Sequence, residues 1–167
     1  MEFYGLSSRG GGNRDEGLDV VTKFEEGGSL QAALGIGIED ARTNGGRRTA
    51  GSGGEFSGHH RTAWARDVAR GLANSHSVGV VHNDVACRNA LLSSTEIGAP
   101  VLLCDFGMSR MLRGNGVERA SLIDVQRTRD KWPVRQMPKE SLSFPYSLSP
   151  SSDTWMYGTM LYEVRAG

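Results

Sequence analysis

Two carboxylates and a carboxamide stand at spacings that could support phosphate chemistry. Asn89 lies five residues after Asp84, and the run Asp105-Phe106-Gly107 begins sixteen residues after Asn89. Phosphoryl transfer from a nucleotide needs a group that accepts a hydroxyl proton and oxygen ligands that hold Mg²⁺ on the phosphates. Mg²⁺ prefers carboxylate and amide oxygens. The three residues supply such a set, although Asp84 or Asp105 alone would be more typical of an ordinary turn or cap residue.

The elements around these residues are short. The apolar runs 90–92 and 101–104 are separated by a turn-like segment, 93–100, which predicts a small hairpin between Asn89 and Asp105. Residues 61–77 place apolar side chains at four-residue spacing, which predicts an amphipathic helix that ends at Gly79. The apolar residues of this helix face are Trp64, Val68 and Leu72. A last apolar helix is predicted from about Ser152, with Trp155, Met156, Met160, Leu161 and Val164.

The first third of the chain is rich in glycine. Residues 7–17 and 35–58 show no hydrophobic period, and we predict two flexible Gly-rich inserts there. Between them, residues 18–24 read as a strand, and Ser29 is a candidate N-cap of a short helix. Residues 108–131 are polar and are predicted to form a long exposed loop.

Length and charge narrow the classes of function. The 167 residues suit one domain, and 19 Lys and Arg balance 19 Asp and Glu. A neutral chain is a poor candidate for binding nucleic acid or an anionic membrane through a basic surface. Two cysteines cannot build a secreted disulfide framework, and the sequence shows neither a secretory signal nor a membrane segment. We therefore expect a soluble, intracellular, cytoplasmic protein whose oligomeric state the sequence leaves open.

The run His82-Asn83-Asp84 to Asn89, followed by Asp105-Phe106-Gly107, resembles the catalytic loop H-R-D-x-x-x-x-N and the D-F-G motif of eukaryotic protein kinases. The resemblance implies an α+β, protein-kinase-like fold, mostly the helical large lobe with a remnant of the small-lobe sheet. It implies ATP and Mg²⁺ as cofactors and a protein as substrate. Asp84 would be the catalytic base, and Asn89 and Asp105 would be metal ligands. His82, Phe106 and Gly107 would support the site.

Residues 21–30 are similar to the hinge of the same family. Thr22 would be the gatekeeper, and Lys23, Phe24 and Glu25 would meet the adenine edge through their backbone groups. Leu91 would lie beneath the adenine.

Two later segments extend the resemblance. Residues 132–142 are similar to the peptide-binding segment of tyrosine kinases, and Glu140 stands where the glutamate of the A-P-E run is expected. Residues 152–164 resemble helix F, whose Asp153 would hydrogen-bond the backbone of the catalytic loop. The alternative role for Asp153 is that of an acid favoured by the helix dipole.

Substrate class depends on two positions near Asp84. Tyrosine kinases more often carry Ala two residues after the catalytic Asp and Arg two residues later, and Ala86 and Arg88 fit that pattern. Serine/threonine kinases usually carry Lys at the first position. Arg88 is therefore assigned to the catalytic group, with a loop-stabilising cation as the alternative.

The resemblance also implies a truncated domain, in which residues 1–24 are the small-lobe remnant and 25–167 a partial large lobe. In protein kinases a lysine on the third strand of the small lobe positions the ATP phosphates. None of the three lysines of this chain, which are Lys23, Lys131 and Lys139, corresponds to that position. We therefore expect this chain alone to have negligible kinase activity. The alternatives are a catalytically dead binding module and an incomplete product without function. Asn83 replaces the usual Arg, and 108–131 contain no Tyr, so we expect no control by activation-loop tyrosine phosphorylation.

Overall fold

The computed structural model describes residues 2–8, 18–36, 56–94, 96–112, 118–119, 132–144 and 146–166. Within these ranges the chain forms four helices and eight short strands. The helices are α1 (Leu30–Ala33), α2 (Gly58–Ser77), α3 (Lys139–Leu142) and α4 (Pro150–Ala166).

The strands pair as four separate two-stranded antiparallel sheets, each of them small. The pairs are β1 (Phe3–Ser8) with β2 (Leu18–Thr22), β3 (Val80–Val81) with β6 (Arg110–Met111), β4 (Ala90–Leu92) with β5 (Val101–Leu103), and β7 (Glu118–Arg119) with β8 (Ser147–Leu148).

Helix α2 carries the largest buried face. Trp64, Val68 and Leu72 are at most 5% exposed, as the four-residue spacing predicts. The helix begins three residues before the predicted start, because the Ser57 hydroxyl caps it by accepting a hydrogen bond from the His60 backbone N–H. Gly79 follows its end with φ 75°, a conformation in which glycine carries no Cβ penalty.

Helix α4 packs beside α2 and begins at Pro150, two residues before the predicted start. The Ser149 N–H donates to the Ser152 hydroxyl, which is half of a capping box, and proline suits the first helical position. Met156, Met160 and Val164 are buried on one face. Trp155 is 60% exposed, so the predicted apolar set divides between two faces of the helix. No helix in the described ranges combines the length and apolarity needed to cross a membrane.

The predicted hairpin is present as β4 and β5. Ala90 pairs with Leu103 and Leu92 with Val101, and the Cys104 N–H donates to the Asn89 carbonyl at 2.9 Å. Helix α2 approaches this hairpin closely at Gly71, where a Cβ would lie 3.2 Å from Leu103 Cβ. The hairpin therefore holds Asn89 and the residue before Asp105 side by side.

The predicted strand at 18–24 is observed as β2, which ends at Thr22 and pairs with β1. Ser29 caps α1 as predicted, because its side chain accepts a hydrogen bond from the Ala32 N–H. The two-stranded sheet exposes apolar side chains, including Tyr4 and Leu6, each 60% exposed.

Three predicted loop boundaries need correction. Within 7–17, Ser7 and Ser8 belong to β1; within 35–58, Gly58 begins α2. Within 108–131, residues 110–111 and 118–119 form strands. Two-residue strands carry no readable period, and their partners are distant in sequence. The remaining parts of these segments lie largely outside the described residues, and their predicted flexibility stays a prediction.

Gly27 brings the chain after β2 against β4, and its replacement by Ala is expected to be costly. A Cβ there would overlap the Ser94 carbonyl oxygen and would lie 2.5 Å from Leu92 Cβ. Because backbone must move, we expect Gly27→Ala to lower the free energy of unfolding by about 3 kcal/mol in urea denaturation. Gly58→Ala is the control, since a Cβ there would meet no described atom within 4 Å beyond its chain neighbours and its own helix backbone. Equal midpoints for the two variants would contradict this packing.

Candidate active site

The loop that carries Asp84 is buried, and a side chain of helix α4 hydrogen-bonds to its backbone. Residues 81–87 are all buried. The fully buried carboxylate of Asp153 accepts the His82 N–H through Oδ2 and the Asn83 N–H through Oδ1, both at 2.8 Å. This is the contact that the resemblance implies for Asp153. A carboxylate that accepts two backbone N–H groups fixes the path of the loop.

A second side chain, which the sequence pattern did not indicate, also contacts the Asp153 carboxylate. His76, in the last turn of α2, lies with Nε2 at 2.8 Å from Asp153 Oδ2. The only local signal is a histidine near a helix C-terminus, where a cation is favoured. Its partner lies 77 residues later, which no local pattern reveals.

His82 links the loop to the strand that precedes Asp105. Its Nε2 lies 2.9 Å from the Cys104 carbonyl, and its Nδ1 lies 3.2 Å from the Asp84 N–H. A neutral ring that donates from Nε2 and accepts at Nδ1 satisfies both contacts. The ring also packs against Phe106, with centroids 4.7 Å apart. The fully buried His82 side chain therefore connects the backbone of Asp84 with the residues on either side of Asp105.

The carboxylate of Asp84 is held by two side chains from the same loop. Asn89 Nδ2 donates to Asp84 Oδ2 at 2.7 Å and to the Asp84 carbonyl at 2.8 Å. Arg88 forms an ion pair with Asp84 Oδ1, and its side chain is 40% exposed. Asp84 therefore presents an oriented carboxylate, with a cation beside it that reaches solvent.

Asp105 stands at the open end of the hairpin beside Asn89. It adopts a left-handed conformation with φ 60°, and its Oδ1 accepts the Gly107 N–H at 3.1 Å. Asp105, Phe106 and Gly107 are exposed, and a 3₁₀ turn spans Phe106–Met108. Within the described part of the chain the second oxygen of Asp105 has no hydrogen-bond partner, and the exposed residue can bind a ligand through it.

The donor atoms at this edge fit Mg²⁺. Asn89 uses its amide nitrogen on Asp84, which leaves Oδ1 for a metal, and Asp105 adds a carboxylate oxygen. No group of three His, Cys, Asp or Glu side chains among the described residues could enclose a metal. Mg²⁺ commonly takes one or two protein oxygens and completes its octahedron with phosphates and water.

The hinge residues differ in exposure. Lys23 and Phe24 are exposed, whereas Thr22 is half-buried and Glu25 is 4% exposed, with Oε2 lacking a hydrogen-bond partner in the described structure. The Lys23 N–H donates to the Glu2 carbonyl, and the Glu25 carbonyl accepts the Gly28 N–H. The Lys23 carbonyl and the Glu25 N–H have no backbone hydrogen-bond partner among the described residues.

The hinge continues directly onto the hairpin. Leu91, half-buried in the middle of β4, forms a bridge with Ser29, and the Leu92 N–H donates to the Gly28 carbonyl at 2.9 Å. These two contacts join the residues after the predicted hinge to β4, the strand that follows Asn89 directly.

The predicted peptide-binding segment lies before α4. Pro133, Met137 and Pro138 are buried, and the rings of Trp132 and Tyr146 are 5.7 Å apart. Glu140 is exposed in the first turn of α3, where the helix dipole favours an acid.

The two buried thiols near the site are expected to be unreactive. Burial raises the pKa of Cys87 to about 12, with Glu163 adding to the effect, and burial with a contribution from Asp105 raises the pKa of Cys104 to about 11. Because the thiolate is the nucleophile, we expect iodoacetamide at pH 7.5 to label both at least about a hundredfold more slowly than in the urea-unfolded chain. Labelling at equal rates in the two states would contradict this burial.

Comparison with known proteins assigns the chain to a family. The family model for protein tyrosine and serine/threonine kinases matches residues 2–167. The rat high affinity nerve growth factor receptor is 30% identical over 98% of this chain and 18% of its own length. The zebrafish ephrin type-B receptor 3 is 30% identical over 88% of the chain and 25% of its own. An inactive tyrosine-protein kinase of Caenorhabditis elegans is 34% identical over 62% of the chain and 11% of its own. The chain spans a quarter or less of these relatives.

Proposed function

The chain belongs to the protein tyrosine and serine/threonine kinase family, and from that premise we propose that it carries the phosphoryl-transfer site of a tyrosine-specific protein kinase. The predicted family and its α+β, protein-kinase-like fold are confirmed. The observation that carries the proposal is the junction at the hairpin, where Asn89 bonds the carboxylate of Asp84 and also pairs with the residue before Asp105.

Each residue of the junction takes one role. Asp84 accepts the proton of the attacking hydroxyl, and its orientation comes from Asn89 and from the loop that Asp153 holds. Arg88 is paired with Asp84 and its side chain is 40% exposed, so it can meet the transferred phosphoryl group.

Protein kinases generally use ATP and Mg²⁺, and the residues present fit both. Asn89 and Asp105 would hold Mg²⁺, which when bound neutralises charge on the phosphates. The Lys23 carbonyl and the Glu25 N–H would bind the adenine edge, with Thr22 behind it and Leu91 beneath. His82, Phe106 and Gly107 keep Asp105 in place.

A protein tyrosine is the proposed acceptor. Ala86 is buried and small beside Asp84, and the cation comes instead from Arg88, which lies farther along the loop. This leaves room for a long acceptor side chain, and residues 132–142 would bind the surrounding peptide. A serine/threonine acceptor is the alternative. A cytoplasmic location follows from the proposal, since that compartment supplies ATP.

We propose that the 167-residue chain by itself binds Mg²⁺ and ATP without efficient transfer. It comprises a small-lobe part, 1–24, and a large-lobe part, 25–167. All three of its lysines have other places: Lys23 lies in the hinge, and Lys131 and Lys139 flank or lie within the peptide segment. A non-transferring binding module is the second candidate, and the relative described as an inactive tyrosine-protein kinase favours it.

A transfer assay tests the proposal. The chain is incubated with γ-labelled ATP, Mg²⁺ and two peptides that differ only in a Tyr or Ser acceptor, in parallel with an ATP-binding titration. Binding without detectable transfer is expected. Transfer to Ser but not Tyr would contradict the tyrosine assignment, and absence of Mg²⁺-dependent binding would favour the binding module.

A further inference from the structure

Two non-glycine residues in the described ranges have positive φ, and both flank the proposed site. They are Asn83, with φ 62°, and Asp105, with φ 60°. Asn and Asp tolerate this left-handed conformation better than other side chains do. Such residues persist only where the surrounding contacts impose them, and they often cluster at functional sites.

The side chain of Asn83 joins these two positions. Its Nδ2 donates to the Met108 carbonyl at 3.2 Å, and the residue is only 2% exposed. Met108 ends the 3₁₀ turn that follows Asp105. One buried amide therefore connects the loop of Asp84 to the turn of Asp105.

The register of β3 and β6 explains this contact. Val80 pairs with Met111 and Val81 with Arg110, so continuing the register by two residues places Asn83 opposite Met108. The Asn83 backbone N–H is already given to Asp153. In a regular ladder the Asn83 N–H would donate to the Met108 carbonyl. The side-chain amide of Asn83 donates to that carbonyl instead, and so the contact between the two segments continues as far as the proposed site.

We propose that Asn83 is a positioning residue for the metal-binding carboxylate: its amide holds the 106–108 turn against the catalytic loop and so places Asp105. This rests on the proposed function for the metal and ATP. The contact is a hydrogen bond from a neutral amide to a backbone carbonyl, so it requires neither a charged side chain at position 83 nor a bound phosphate. Only the donor matters, because Asn83 Oδ1 has no hydrogen-bond partner in the described structure.

Two variants isolate the donor. Asn83→Asp keeps the shape and the tolerance of positive φ but sets a carboxylate oxygen against the Met108 carbonyl. Asn83→Gly keeps the backbone conformation and removes the side chain without adding charge. Asn74→Asp, at an exposed position on α2, is the matched control.

The first readout is ATP affinity of the whole 167-residue chain, measured with Mg²⁺ and with EDTA. Both Asn83 variants are expected to bind ATP about tenfold more weakly with Mg²⁺ and with unchanged affinity in EDTA, because Asn83 acts through Asp105. Equal losses under both conditions would mean a general structural role and would overturn the proposal, as would unchanged affinity with Mg²⁺.

The second readout needs no ligand. Amide hydrogen exchange at Gly107 and Ser109, measured by NMR, is expected to be about tenfold faster in both variants and unchanged in Asn74→Asp. If the wild-type chain fails to bind ATP with Mg²⁺, the proposed function fails. Hydrogen exchange then tests by itself whether Asn83 holds the 106–108 turn. Faster exchange in the two variants supports that role, and unchanged exchange overturns it.

Discussion

Replacement of Asp105 by Asn is expected to weaken ATP binding in the presence of Mg²⁺ about a hundredfold, whereas Asp84→Asn leaves the affinity within about threefold. Asp105 has one oxygen on the Gly107 N–H and one open to solvent, so the variant loses a charged metal ligand. Asp84 is assigned to the proton and not to the metal. An Asn there keeps an oxygen that can still accept the Asn89 amide.

The contrast between these two variants is measured by calorimetric titration with ATP at fixed Mg²⁺, and each variant also serves as the other's isosteric control. Asp105→Asn with wild-type affinity would remove that residue from the metal site. If Asp84→Asn lost as much affinity as Asp105→Asn, the division between base and metal ligand would be wrong.

The largest loss of stability is expected at Asp153. Its buried carboxylate accepts the N–H groups of His82 and Asn83 and also contacts His76 Nε2. Asp153→Ala leaves the two backbone N–H groups buried without an acceptor, and each such donor costs about 1 to 3 kcal/mol. We expect the free energy of unfolding to fall by about 4 kcal/mol.

Urea denaturation measures this effect. Asp153→Asn retains one acceptor oxygen and should fall between wild type and Asp153→Ala. Glu140→Gln changes an exposed acid and should stay within about 0.5 kcal/mol of wild type. If Asp153→Ala were no less stable than Glu140→Gln, the loop would be held by something other than this carboxylate.

Local patterns in the sequence were enough to place the main elements. The spacing of Trp64, Val68 and Leu72 predicted the buried face of α2, and the two apolar runs after Asn89 predicted the β4–β5 hairpin. These elements are long enough, or close enough in sequence, for hydrophobic period and turn chemistry to specify them.

The remaining features depend on contacts between distant residues. The pairing of β3 with β6, the His76–Asp153 contact and the side-chain bond from Asn83 to Met108 join residues 25 to 77 positions apart. Such contacts form only when the whole chain packs, so no local sequence pattern indicates them. Asn83 shows this clearly: the sequence indicated only a departure from arginine, whereas the structure indicates what the amide holds.

The measurement that tests the central claim most directly is calorimetric titration of the wild-type chain with ATP, once with Mg²⁺ and once with EDTA. With Asn89 and Asp105 as the metal ligands, binding is expected to be at least about tenfold tighter with Mg²⁺. Equal affinity under the two conditions, or no binding in either, would contradict the assignment of the Asp84–Asn89–Asp105 junction as a site for Mg²⁺ and ATP.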